Sequence, residues 1–318
     1  MSDDGRMSDD GRVHPAPDVL AVGETMALVA PSRAESLETA VDFHIDAGGA
    51  EANVASHLVA LGRRAAWAGA VGDDALGRRV VRQLAERGVD TRWVTVDAGA
   101  PTGLYVKDPG RGVDYYRAGS AASRLGPGDV SALPLDRVRL LHVSGITPAL
   151  SASCDALVDA LFDAAAGHDV PVSFDVNHRA ALWPSTDAAA QRLRDLAARA
   201  TVALVGRDEA EGLWGVSGVD AVRALLPEPA VLVVKDGAVG ATEFARGDDG
   251  GDDVVHVPAL TVELVEPVGA GDAFAAGYLH AWLDGAASAD RLAAGHARAV
   301  LVLADTADFP RSPREDQA

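Results

Sequence analysis

In EPVGAGDAFAAGYL, residues 266–279, a single acid, Asp272, follows Gly269, Ala270 and Gly271 and precedes an apolar run. Glycines let backbone N–H groups turn toward a ligand, and a helix that starts there adds partial positive charge, so the stretch can form an anion hole. A carboxylate in the first turn of that helix could take a proton from a substrate hydroxyl while the amides hold a phosphate. Asp272 also fits a plain helix N-cap, where Asp is common. The chain has no G-x-x-x-x-G-K-[ST], and Phe274 stands where G-x-G-x-x-G needs its last glycine. A P-loop and a dinucleotide fingerprint are therefore both excluded.

A second glycine pair opens another helical stretch in DAGGAEANVASHLVALG, residues 46–62. Gly48 and Gly49 permit close approach of a ligand. Asn53 points from the first turn, where its amide can pair with hydroxyls. A loop glycine pair and an Asn at a helix start would account for the same residues.

These side chains need elements to hold them. Apolar runs at 19–23, 65–72, 137–145, 170–177, 201–206 and 230–237 read as buried strands. Segments 50–62, 74–88, 151–167, 187–200, 218–226, 270–284 and 288–304 read as helices. Their alternation predicts an α/β fold, a mostly parallel sheet covered by helices on both faces. Ligands gather at the C-terminal ends of such strands. That rule singles out Gly23, Ser144–Gly145, Asp175–Arg179, Gly206–Glu209 and Lys235–Gly240. Segments 24–47 and 93–120 break the alternation with strand-like patches, and the second turns at Asp108–Gly112 as a hairpin. Together they are expected to form a small β-sheet lid over the site.

Hydrophobic residues make up 48% of the 318, enough for a sizeable core, and no apolar run approaches the length of a membrane span. The repeated hexamer MSDDGRMSDDGR lacks the pattern of a signal peptide. Residues 1–17 are expected to be a flexible acidic tail, residues 18–310 the working domain, and residues 311–318 a C-terminal tail. Cys154 is the sole cysteine, so an intrachain disulfide and a cysteine-cluster zinc site are excluded. Net charge is −19, and of 28 basic residues only Lys107 and Lys235 are lysines. An acidic surface repels nucleic acid and anionic membranes, so neither is expected as a partner. The balance suits a cytoplasm with molar salt, as in a halophilic archaeon, where the Debye length falls to ~3 Å. A high genomic GC content would also favour arginine over lysine.

The two glycine motifs together resemble the signatures of the PfkB, or ribokinase-like, family of sugar kinases. GGAEANVASHLVALG with AGAVGDDALGRRV is similar to its N-terminal signature, and EPVGAGDAFAAGYL to its C-terminal one. The likeness runs from about residue 18 to 310. It implies a ribokinase-like fold with a lid, and phosphorylation of a sugar-like hydroxyl by ATP with Mg²⁺. It makes Asp272 the catalytic base and the amides of Gly269, Ala270 and Gly271 the anion hole, with Gly48, Gly49 and Asn53 on the sugar side.

Within that family, TGLYV (102–106), DYYRAGSAASRL (114–125), LHVSGITPALS (141–151) and FDVNHRAALWP (174–184) resemble kinases of 2-keto-3-deoxygluconate. Such a substrate is an acid, and arginine offers a carboxylate a bidentate fork. The resemblance points to Arg117 and Arg179 for the carboxylate, and to Tyr105 with Tyr115 or Tyr116 for hydroxyls and the keto oxygen. It places Asn177, Arg179, Lys235, Gly237 and Gly240 on the nucleotide side and Asp308 near the substrate. The family usually shows Asn-x-x-Glu after the strand at 201–205; here Gly206 takes the Asn position and Glu209 remains as the metal candidate. A kinase of 2-keto-3-deoxygalactonate, fructose or ribose stays open, as does a non-catalytic sugar-binding protein. The implied partners are a small sugar acid, ATP and a second copy of the chain joined through the lids, in the cytoplasm.

Overall fold

The computed structural model describes residues 15–33, 35–262, 268–303 and 309. In chain order the strands are β1 Val19–Val22, β2 Met26–Pro31, β3 Phe43–Gly48, β4 Ala65–Gly72, β5 Asp90–Asp97, β6 Leu104–Asp108 and β7 Gly112–Tyr116. They continue as β8 Leu140–Ser144, β9 Val172–Asp175, β10 Val202–Gly206, β11 Val231–Asp236, β12 Gly240–Arg246 and β13 Asp252–Pro258. The helices are α1 Ala50–Ala60, α2 Ala75–Glu86, α3 Ala152–Gly167, α4 Thr186–Arg199, α5 Arg207–Trp214, α6 Val219–Leu225, α7 Ala270–Leu283 and α8 Ser288–Leu303. Local chemistry sets several starts. Asp74, Ser151 and Ser185 each accept a backbone N–H three residues on, at 2.7, 3.1 and 3.2 Å, and so cap α2, α3 and α4.

Nine strands form one sheet in the order β13-β12-β11-β10-β9-β8-β1-β4-β5. Pairing is parallel from β11 through to β5 and antiparallel for β11–β12 and β12–β13. Helices cover both faces, which is why AAWAGAVG of β4 is buried at every position. On one face Val54 and Leu58 of α1, Val80 and Leu84 of α2, Phe274 and Leu279 of α7 and Leu292 of α8 share a core. On the other, Leu157 and Leu161 of α3, Leu193 of α4, Leu213 of α5 and Val222 of α6 build a second. Strand order reverses at β1, which has β4 on one side and β8 on the other, the kind of switch point where α/β sheets open a crevice.

The small sheet has the order β3-β2-β6-β7. Its first half follows β1 directly and its second half follows β5, so both leave the C-terminal edge of the large sheet. The stretch 93–120 divides, contrary to its expected place wholly in this small sheet. Trp93–Asp97 of β5 pair in parallel with Ala68–Gly72 of β4, and only β6 and β7 join the small sheet. The reason is that Trp93 and Val94 pack against the two opposite cores. An edge strand that is half-buried on both faces lacks the continuous apolar run of an inner strand. β13, at the opposite edge of the sheet and largely exposed, escapes the apolar-run pattern for a similar reason.

Candidate active site

The N-terminus of α7 is made by Gly269, whose φ of 85° lies in the left-handed region that favours glycine. The chain turns there into Ala270 and Gly271, and Asp272 falls in the first helical turn. Ala273 to Leu279 behind it are buried and anchor the helix. Asn53 Nδ2 donates to Asp272 Oδ2 at 2.9 Å, so the two glycine motifs, 219 residues apart, meet through one bond. Asn53 is 3% exposed, and its Oδ1 is buried with no partner among the described residues.

These groups border a cavity of about 1010 Å³ at the C-terminal edge of the large sheet. One end lies under the small sheet, where Met26, Tyr105, Val113, Tyr115 and Arg117 line it. The other end is lined by Gly237 and Gly240 of the β11–β12 turn, by Leu260, and by Ala299, Val300 and Leu303 of α8. Between the two ends stand Asn177, Arg179, Glu209, Lys235 and the start of α7. Three strands, β8, β9 and β10, separate β1 from β11, which sets the span of the crevice.

At the small-sheet end, Tyr105 and Tyr115 lie opposite each other across β6 and β7, with ring centroids 5.8 Å apart. Gly48 does not line the cavity; a Cβ there would fall 1.9 Å from the Tyr105 hydroxyl, so glycine is needed to seat that ring. Tyr116 is the neighbour of Tyr115 and therefore faces the other side of the strand. It is 63% exposed and does not line the cavity, which removes it from the site. Arg117 is 9% exposed, its guanidinium sits over the Tyr115 ring at 5.4 Å, and it forms a direct ion pair with buried Glu24. Ser120 Oγ donates to the other Glu24 oxygen at 2.9 Å. Glu24, which sequence reasoning passed over, thus already balances much of the charge on Arg117, while the Arg117 Nε–H is buried without a partner among the described residues. Arg179 is exposed and lines the cavity from the loop after β9, and among the described residues its guanidinium is held by the His178 carbonyl alone, at 3.4 Å.

At the centre, Lys235 Nζ donates to both Asp175 oxygens, at 2.9 and 2.7 Å. Burial works against the Lys235 ammonium, but Asp175, Glu209 and Asp272 outweigh it and hold its pKa above the ordinary value. Glu209 accepts the His178 amide at 2.9 Å on one oxygen and the Gly206 amide at 2.8 Å on the other. Burial, with Asp175 adding to it against Lys235, raises the Glu209 carboxyl. Glu209 therefore ties two strand ends together. Among the described residues no group of three or more His, Cys, Asp or Glu side chains is placed to hold a metal ion. Gly206 has its own account, since a Cβ there would meet the Asp208 and Glu209 carboxylates at 2.8 and 2.9 Å. Asn177 adopts φ 37° while 8% exposed, an uncommon conformation for a non-glycine residue and one that clusters at ligand sites.

Of the residues singled out from the sequence, Asp308 lies outside the described residues. Sequence reasoning missed Glu24, Met26 and the α8 wall. Val300 and Leu303 are off the core-facing stripe of Leu292, Ala299 and Val302, and that second apolar stripe was a readable signal.

Comparison with known proteins agrees with this fold. Residues 16–309 match the model of the pfkB family carbohydrate kinases. The chain is 36% identical to the 2-dehydro-3-deoxygluconokinase of Thermoproteus tenax, over 93% of this chain and 92% of that one. It is 30% identical to the 2-dehydro-3-deoxygalactonokinase of Haloferax volcanii, over 89% and 90%. Among solved structures it is similar to the PfkB protein from Polaromonas sp. JS666, with a TM-score of 0.84, 33% identity and coverage of 95% of this chain and 100% of that one. The chain belongs to the pfkB family of carbohydrate kinases.

Proposed function

We propose that this chain transfers the γ-phosphoryl group of ATP to the terminal hydroxyl of 2-keto-3-deoxygluconate, which is 2-dehydro-3-deoxygluconate under its other name. The observation that carries this reading is one continuous cavity with Asp272, the α7 N-terminus and Arg179 in its middle and Arg117 at the small-sheet end. The named relative from Thermoproteus tenax supports the substrate.

In this mechanism the sugar acid enters beneath the small sheet, which acts as a lid. Arg179 takes the carboxylate with its exposed guanidinium. Arg117, already paired with Glu24, offers its buried Nε–H to a neutral oxygen of the sugar or to the carboxylate edge. Tyr105 and Tyr115 hold hydroxyls. Gly49 allows the sugar to approach α1, where Asn53 fixes Asp272 and presents its free Oδ1 to a hydroxyl. Asp272 takes the proton of the terminal hydroxyl as its oxygen attacks phosphorus. General base action of this kind is worth about 10²–10⁴ in rate. The amides of Gly269, Ala270 and Gly271 hold the transferring group, where losing one such donor costs about 3 kcal/mol. The adenine base lies against Leu260, Val300 and Leu303, and the phosphates pass Asn177, Gly237 and Gly240. Magnesium would arrive with ATP as part of the substrate and neutralise phosphate charge, and Glu209 is the carboxylate that would hold it, through retained water. The charge of −19 supports, as part of this reading, a cytoplasm of molar salt.

Transfer to the galactonate epimer is a second reading, favoured by the likeness to the Haloferax volcanii enzyme. Phosphorus NMR of the product tests both readings, with each epimer incubated with Mg·ATP. The expected product is a phosphomonoester on the terminal carbon of the gluconate form. A phosphomonoester on the galactonate form alone overturns the first reading in favour of the second. An ester at any other carbon overturns the placement of Asp272.

A further inference from the structure

Asp175 is 3% exposed at the end of β9, yet the mechanism above gives it no task. Its place follows from strand register. On β10, Leu204 lies opposite Asp175 on one side and Val233 on the other, and Gly206 lies opposite Lys235. Asp175 and Lys235 therefore share the sheet face that carries α1 and α7, on either side of β10 and one pleat apart. Gly206, on the same face, presents no side chain between them. Lys235 crosses this gap, and two of its three N–H bonds point to the Asp175 oxygens at 2.9 and 2.7 Å. The ammonium also lies beside the anion hole, because a Cβ on Gly271 would be 3.8 Å from Nζ. Lys235 lines the cavity there with Gly271 and Asp272. The carboxylates of Asp175, Glu209 and Asp272 keep the ammonium charged against the effect of burial.

We propose that Lys235 gives its third N–H to an equatorial oxygen of the transferring phosphoryl group, and that Asp175 is the positioning residue that aims it. This rests on the kinase reading above. As the terminal hydroxyl oxygen attacks, its bond to γ-phosphorus forms and the bond from γ-phosphorus to the β,γ-bridging oxygen breaks. The electron pair of that bond leaves with ADP, and the hydroxyl proton passes to Asp272. Negative charge on the transferring group is spread over three equatorial oxygens. The α7 amides reach this group from the helix side, and Lys235 reaches it from the sheet. A lysine acts on a phosphate as a point charge, so it needs a second group to fix its direction. A bidentate carboxylate does that. Gly206 supplies no side-chain donor from β10, which leaves the next strand, β11, to provide one.

The test compares full-length wild type with Lys235→Met, Lys235→Arg and Asp175→Asn, each checked for an unchanged melting temperature. Steady-state turnover is measured with Mg·ATP and the sugar acid. Binding is measured for ADP alone and for ADP with aluminium fluoride plus the sugar acid, a mimic of the transferring group. Lys235→Met is expected to lower kcat by about 10²–10³-fold, the loss typical of one transition-state donor. KM for ATP should move less than about threefold, since the contact tightens only in the transition state. Affinity for the aluminium fluoride complex should fall in step with kcat, while ADP binding stays as in wild type. Lys235→Arg should recover part of the loss. Asp175→Asn should show the same pattern at roughly tenfold, because the ammonium remains but is no longer aimed. Equal kcat in wild type and Lys235→Met overturns the proposal and leaves the kinase reading intact. So does a loss of ADP affinity as large as the loss of kcat, which would make Lys235 a ground-state nucleotide contact. A variant that melts early is replaced by Lys235→Arg, whose unchanged affinity for both complexes with lowered kcat would also overturn the proposal. Wild type that phosphorylates no sugar overturns the kinase reading and this proposal with it.

Discussion

Helix α7 carries two charged networks six residues apart, and they differ in how far their polar groups are satisfied. At its C-terminal half, Tyr278 donates to Glu243 at 2.7 Å, Arg291 Nε donates to the same Glu243 oxygen at 3.1 Å, and Arg291 Nη2 closes on the other. Glu243 is fully buried, and burial together with Glu243 pushes the Tyr278 phenol well above its usual range. That network is closed and binds β12, α7 and α8 to one another. At the N-terminal end, Asp272 has Asn53, but Asn53 Oδ1 is buried without a partner among the described residues, as is Arg117 Nε farther along the same cavity. A buried polar atom without a partner costs about 1–3 kcal/mol, and such atoms gather where a ligand completes them. The difference separates a network that holds the fold from one that the proposed mechanism completes with substrate.

Substitutions can break this contrast. The largest effect is expected for Asp272→Asn, with kcat lowered by about 10²–10⁴-fold and the melting temperature unchanged. Calorimetry and turnover on the same sample check both halves. Glu243→Ala should invert the result. It leaves Arg291 and Tyr278 buried without their partner, and unfolding stability should fall by about 3–5 kcal/mol. Denaturant titration reads that loss, and kcat of the folded fraction should match wild type.

The contrast was only partly legible in the sequence. The inner strands showed themselves because burial on both faces demands continuous apolar runs, and β4 runs from Ala65 to Gly72 as the sequence predicts. The helix starts at Asp74 and Ser151 followed from local capping. The glycine motifs with Asp272 and Asn53 were visible because backbone approach to a ligand restricts residue type. Their direct bond was not visible, because nothing local links positions 219 residues apart. The pairing of Arg117 with Glu24 was hidden for the same reason, since it depends on how the small sheet sits on β1. The choice between Tyr115 and Tyr116 needed the β6–β7 register, which a hairpin turn alone leaves open by one residue.

Two further measurements sharpen the comparison with smaller effects. His142, 1% exposed on β8, lies on the same face as Asp175 and Lys235, and burial lowers its pKa from 6.5 to about 4, with Asp175 opposing and Lys235 adding. The unfolded chain then binds a proton between about pH 6.5 and 4 that the folded chain refuses, so stability falls as the pH drops through that window. The loss should approach roughly 3 kcal/mol, and His142→Asn should flatten it in urea titrations across that range. Smallest is Arg179→Ala. Its exposed guanidinium should contribute mainly to binding, so KM for the sugar acid should rise about tenfold, or roughly 1.4 kcal/mol, with kcat nearly unchanged.

The most direct measurement is release of ADP by the wild-type chain in molar KCl with Mg·ATP. It compares 2-keto-3-deoxygluconate, its galactonate epimer, ribose and fructose. Turnover confined to the keto acids, and lost in Asp272→Asn, is the predicted result. Turnover on ribose or fructose with none on the keto acids would contradict the substrate, and full turnover by Asp272→Asn would contradict the placement of chemistry at the open end of α7.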